Sequence, residues 1–161
     1  LGNIGEQKGV ALIAAMSRLF KRDQRDMRLV VLGTIDPRFT IAKPSLVHGA
    51  YRIEDLPELI ERFGISKWLI PSIWPETFSY TTHECLATGL PTFVFDLGAQ
   101  AEAARQAPNG HLLRLPRRKV PAEALAARVL AKITAPPRPD LPLVTNRQGF
   151  EVEGAEPRGA D

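Results

Sequence analysis

The chain has 161 residues, 44% hydrophobic and 24% charged, with a formal net charge of +3. That length suits one domain with a real core. The mild basic excess suits an anionic ligand such as a diphosphate, or an acidic membrane surface, and falls far short of a nucleic-acid-binding tail.

In chain order, Gly9 to Asp23 reads as a helix, with Val10, Ile13, Ser17 and Phe20 on one face. Arg28 to Leu32 is a short, nearly continuous apolar run ending at Gly33, which suits a buried parallel strand. Ser45 to His48 predicts a second strand, stopped by Gly49. Glu54 to Phe63 carries Leu56, Leu59, Ile60 and Phe63 at helical spacing and is closed by Gly64. Lys67 to Ile70 predicts a strand. Thr77 or Ser79 then caps a helix running to Thr88, which Gly89 and Pro91 end. Thr92 to Phe95 is another strand, Gly98 to Gln106 an Ala-rich helix, His111 to Leu115 a last strand and Pro121 to Ile133 a last helix.

Apolar strands alternating with helices predict an α/β domain, a Rossmann-like three-layer arrangement with a parallel sheet covered on both faces. It should span residues 1–133. The first strand should end near Leu1, most of it missing, and the chain, which opens without Met, reads as a piece of a longer protein. Residues 134–161 begin with Ala135-Pro136-Pro137-Arg138-Pro139 and are expected to form a Pro-rich linker or extended tail. The single cysteine, Cys85, cannot form an internal disulfide and reads as packing in an apolar helix. No stretch has the length and apolarity of a transmembrane segment, and no signal peptide is visible.

Ligands of open parallel sheets bind where strand carboxyl ends lead into helices. Three loops qualify. Gly2 to Gly9 contains Gly2, Gly5 and Lys8 before a helix N-terminus. It reads either as a phosphate cradle or as a turn with a solvated lysine. Pro71 to Glu84 contains Glu76 and Glu84, separated by seven residues. Glu76 can accept hydrogen bonds from sugar hydroxyls and Glu84 can chelate a ribose. Equally, Thr81 and Glu84 fit a capping box and Glu76 fits a surface position. Phe95 to Ala99 is the third, where Gly98 lets the backbone pass close to the second loop, and Asp96 and Glu102 charge the short helix. No carboxylate pair suits a metal. His83 reads as solvent-facing or capping; His48 and His111 receive no ligand role. Trp68 reads as core, and Trp74 as lining a cleft.

In this order, Gly2-x5-Lys8-Gly9, Val47-x-Gly49-x-Tyr51, Pro71-Ser72-x-x-Pro75-Glu76, Glu84, Ala87-x-Gly89-Leu90-Pro91 and Gly98-x3-Glu102 resemble one family. It is the C-terminal domain of the retaining glycosyltransferases of family four, also called group 1, which use the two-domain GT-B architecture. The resemblance covers about Leu1 to Leu115. It implies that the chain binds the donor, a nucleoside diphosphate sugar, and belongs to an enzyme that transfers a hexosyl group without a metal or other cofactor. Lys8 matches the lysine on the donor diphosphate. Glu76 matches the first glutamate of the E-x7-E motif, near the transferred sugar, and Glu84 the second, on the ribose hydroxyls. Thr77, Phe78, Ser79 and Tyr80 fall on the stretch between them that contacts sugar or phosphate. Tyr51 and Arg52 fall where a loop approaches the base. The acceptor site would lie in an N-terminal GT-B domain that this chain lacks, and the isolated domain would transfer nothing. The implied location is cytoplasmic, at most peripheral to the inner membrane face.

Two departures bear on the site. The family's arginine beside the first glycine is here Asn3, and its Glu-Gly-Phe-Gly is here Glu76-Thr77-Phe78-Ser79. They keep open an alternative: a degenerate, non-catalytic nucleotide-binding or assembly module of the same fold. A Rossmann redox domain fits less well, because the Gly-rich fingerprint and its acidic partner are missing.

Overall fold

The computed structural model describes residues 3–23 and 25–135. Gly2 lies outside the described residues, as does the expected tail from residue 136 onward.

Helical periodicity is realised closely. Helix α1 (Val10–Arg22) buries Val10, Leu12, Ile13, Met16, Leu19 and Phe20, and ends with Lys21 and Arg22, which suit the negative end of the helix dipole. Helix α2 (Leu56–Phe63) buries Leu56 and Leu59, follows a 3-10 turn at Ile53–Asp55, and stops at Gly64 in the left-handed conformation. Helices α3 (Tyr80–Ala87), α4 (Gly98–Gln106) and α5 (Ala122–Ile133) complete the set, with Pro121 just before α5.

The strands are β1 (Asn3–Ile4), β2 (Val30–Leu32), β3 (Thr34–Ile35), β4 (Leu46–Gly49), β5 (Trp68–Ile70), β6 (Thr92–Phe95) and β7 (Gly110–Leu113). Every ladder between them is parallel: β1 with β3, β2 with β4, and β5–β6–β7. Strands β2 and β3 are one line of chain interrupted at Gly33, whose φ of 125 turns the backbone and whose N–H donates to the Gly49 carbonyl at 2.7 Å. Order across this half is therefore β4, then β2/β3, then β1.

Two expectations change. The first strand does not stop near Leu1 but runs to Ile4, because Asn3 and Ile4 pair with Thr34 and Ile35. The Gly2–Gly9 loop is correspondingly shorter, starting at Gly5. Strand β3 was not anticipated; two residues after a glycine leave no periodicity to read.

Packing on the two faces makes three layers. On one face, α1 and α5 bury Leu12, Met16, Phe20, Val129 and Leu130 against Phe95 and Leu113. On the other, α2, α3 and α4 bring Leu56, Leu59, Cys85 and Ala104 against Leu32, Trp68, Ile70 and Val94. Trp68 is core as expected, and its indole N–H donates to the Thr88 hydroxyl at 2.8 Å. Cys85 is fully buried, and burial pushes its thiol up to about 12.

The ladders meet where α1 begins. Gly9, at φ +77, sits so close to the Pro71 carbonyl that a Cβ there would lie 2.0 Å from the oxygen. Gly9→Ala should therefore cost at least about 2 kcal/mol, combining left-handed strain with a backbone clash. A lower urea midpoint at unchanged m-value is the expected result; an unshifted midpoint would show that this contact does not hold the fold. Cys85 should resist thiol reagents at pH 8 in the native protein and react only with unfolding, read by mass spectrometry with and without denaturant. Prompt native labelling would contradict its burial.

Candidate functional site

Parallel strands put all their carboxyl ends on one edge, and four loops gather there. The loop after β1 is a tight turn: Gly9 N–H donates to the Glu6 carbonyl and Val10 N–H to that of Gly5. Among the described residues, the N–H groups of Ala11 and Leu12, at the start of α1, have no protein acceptor. Such groups favour an anion. Lys8, on the turn, is exposed. The Gln7 carbonyl accepts from Ile73 N–H at 3.0 Å, which ties this loop to the one after β5.

The loop after β5 carries Glu76 to Ser79 into α3. Ser79 occupies the N-cap position, and its hydroxyl pairs with that of Thr82 at 2.8 Å rather than with a helix N–H. The N–H groups of Thr82 and His83 are bonded to the Ser79 carbonyl, whereas those of Tyr80 and Thr81 have no acceptor among the described residues. Thr81 lies inside the helix, so it forms no capping box with Glu84. Glu84 instead accepts, through Oε2, the phenol O–H of Tyr51 at 3.0 Å. This crosses to the loop after β4. Burial, and secondarily the Glu84 carboxylate, raises the Tyr51 phenol above its ordinary value, so it stays protonated and donating.

The loop after β6 passes close beneath. A Cβ on Gly98 would lie 2.7 Å from the Glu76 nitrogen, so only glycine fits there. Ala99 N–H donates to the Glu76 carbonyl at 2.9 Å. Gln100 is fully buried; its Nε2 donates to the Trp74 carbonyl at 2.9 Å and its Oε1 accepts from Glu76 N–H at 3.2 Å. Gln100 thus clamps the Glu76 loop from both ends. The sequence does carry a signal for it, a polar residue among the alanines of α4.

Other expected residues fall differently. Arg52 is at the N-cap of the 3-10 turn, its N–H bonded to Asp55 and its side chain paired with Glu54 at 3.4 Å in solvent. Asn3 is exposed in β1 and receives the Thr34 hydroxyl at 3.4 Å. Glu76 is half-buried, Thr77 exposed. Phe78 and Tyr80 are 55% and 76% exposed and meet edge to face, and His83 stacks on Phe78 at 5.2 Å. Trp74, in the same loop, is 56% exposed. Asp96 pairs with Arg105 of α4, consistent with charging that helix.

Arg38 was not singled out in the sequence. It reaches Glu6 of the first loop at 3.1 Å while held by Asp36 at 2.6 Å, which brings a guanidinium to the loop that carries Lys8. Among the described residues, no group of three or more His, Cys, Asp or Glu is arranged to hold a metal. Nor is any described helix long and apolar enough to cross a membrane.

A family model described as glycosyl transferases group 1 matches residues 1–134. No curated protein and no solved structure matches the chain.

The clamp is testable by itself. Gln100→Ala leaves the Glu76 N–H without its acceptor and the Trp74 carbonyl with only the Ser72 hydroxyl at 3.2 Å, and should cost about 1–3 kcal/mol. Hydrogen exchange at the Glu76 amide should accelerate at least tenfold while the amides of α1 keep their protection. Equal acceleration throughout would mean that Gln100 supports the whole fold rather than this loop.

Proposed function

The chain belongs to the glycosyl transferases group 1 family, and from that premise we propose that it is the donor-binding half of a retaining, metal-independent GT-B glycosyltransferase. The donor is a nucleoside diphosphate sugar and the group transferred is a hexosyl unit. One observation carries the reading: the Glu84 carboxylate of α3 accepts the phenol O–H of Tyr51, from the loop after β4, at 3.0 Å. A carboxylate has about four lone-pair sites. With Tyr51 on one oxygen, acceptor capacity is left for the two hydroxyls of a ribose.

The remaining groups then take complementary parts. The N–H groups at the starts of α1 and α3 that have no acceptor among the described residues would supply donors to an anionic diphosphate. Lys8 adds a mobile positive charge. As the sugar–phosphate bond breaks, negative charge builds on the leaving diphosphate, and these donors stabilise it without reorganising. Glu76, whose backbone is fixed on both sides by Gln100 and Ala99, lies on the sugar side. Thr77, exposed where the family has glycine, would narrow the pocket there. Acceptor groups and any base come from an N-terminal domain, so this chain binds but does not transfer.

A second reading is favoured by Asn3, a neutral side chain that receives the Thr34 hydroxyl at 3.4 Å. The same site would then bind a nucleotide in a non-catalytic module. The two readings separate on activity of a protein carrying both domains.

Calorimetric titration with UDP and GDP should give weak binding of at least one, and Glu84→Ala should weaken it about tenfold, near 1.4 kcal/mol. Silence with both nucleotides, together with an unchanged Glu84→Ala profile, would remove the proposal. Tyr51→Phe should weaken binding roughly three- to tenfold, the size of one hydrogen bond. It should also shrink the preference for the ribonucleotide over its 2′-deoxy analogue. An unaltered preference would detach Tyr51 from ribose recognition.

A further inference from the structure

The two helical layers expose opposite charge. In α1 and α5 the exposed charged side chains are Arg18, Lys21, Arg22, Arg128 and Lys132, with Glu123 as the one carboxylate within those helices. Arg18 holds Glu123 at 2.6 Å, and Arg22 and Arg25 share Asp23, which caps the end of α1. Among the described residues, Lys21, Arg128 and Lys132 form no ion pair. The connection from β7 into α5 adds Arg117, Arg118 and Lys119, all exposed and likewise without an ion pair among the described residues. In the opposite layer, the 3-10 turn and α2 expose Glu54, Asp55, Glu58 and Glu61 against Arg52 and Arg62. The net charge of +3 is the remainder of this larger separation between faces.

Separated charge of this kind gives a protein a field that orients it toward an anionic surface. The chemistry of the basic face selects among such surfaces. None of the exposed large apolar side chains among the described residues belongs to α1, α5 or the connection into α5. Protein interfaces are anchored by aromatic side chains and are depleted in lysine, so this face lacks what holds a protein partner. Long cations on a helical surface instead match the diffuse negative charge of lipid headgroups. We propose that the outer face of α1 and α5, with the connection into α5, docks on an anionic phospholipid bilayer. Helices cover the faces of the sheet, whereas the rim of loops lies at the strand ends. The docked face is therefore roughly at right angles to the rim, and the loops stay open. The inference stands on the distribution of charge and is independent of what those loops bind.

In flotation with phosphatidylcholine vesicles containing about 40% phosphatidylglycerol, the chain should bind at about 0.05 M salt and at least tenfold less at about 0.5 M. Vesicles of phosphatidylcholine alone should bind it at least tenfold less at the lower salt. Arg128→Glu combined with Lys132→Glu should weaken binding to the anionic vesicles at least tenfold. Arg52→Glu combined with Arg62→Glu makes the same change in net charge on the opposite layer and should weaken it less than threefold. The lipid and salt comparisons use the unaltered chain and so hold whether or not a variant folds. Equal losses from the two pairs would overturn the proposal, as would equal binding to neutral vesicles or no binding to anionic ones at low salt. Tighter capture by a DNA duplex than by anionic vesicles at the same salt would also overturn it, in favour of a nucleic acid.

Discussion

The arrangement depends on one close approach: the backbone of Gly9 against the carbonyl of Pro71, reinforced by Ile73 N–H on the Gln7 carbonyl. These contacts join the exit of β1 to the exit of β5, two strands that share no ladder. Without them the turn carrying Lys8 and the loop carrying Glu76 would belong to separate halves of the domain. Only a residue without Cβ, at positive φ, lets the turn enter α1 at that distance. The same device recurs at Gly98 beneath Glu76. Glycine at these two positions therefore serves proximity rather than flexibility, and it converts parallel strands into a single rim of loops.

On that rim, polar groups of one element satisfy the backbone of another. Gln100 of α4 holds the loop after β5, and Tyr51 of the loop after β4 holds a carboxylate of α3. Both anchors are at least half-buried, where a hydrogen bond is stronger and an unmet partner costlier than in water. Exposed ion pairs at the rim, such as Arg52 with Glu54, contribute little rigidity. What is fixed is thus the backbone of the Glu76 loop and the orientation of Glu84, while Lys8 and the aromatic side chains of Trp74, Phe78 and Tyr80 project into solvent.

Helices were legible because their apolar residues repeat over two or more turns: α1, α2 and α5 lie within a residue or two of where periodicity puts them. Strands β2, β4, β5 and β6 followed from short apolar runs bounded by glycine or proline. The divided sheet was not legible, since pairing is a property of partners far apart in the chain. The Gly33 interruption that splits β2 from β3 also looks like a simple strand end in sequence. The motif around Glu76 and Glu84 was found, but its meaning was ambiguous. Spacing fits a capping box as readily as a ribose grip; the helix start at Ser79 removes the first option, and Glu84 meets Tyr51, thirty-three positions away, instead. Arg38 and Gln100 were missed for the same reason: each acts on a loop that sequence distance hides.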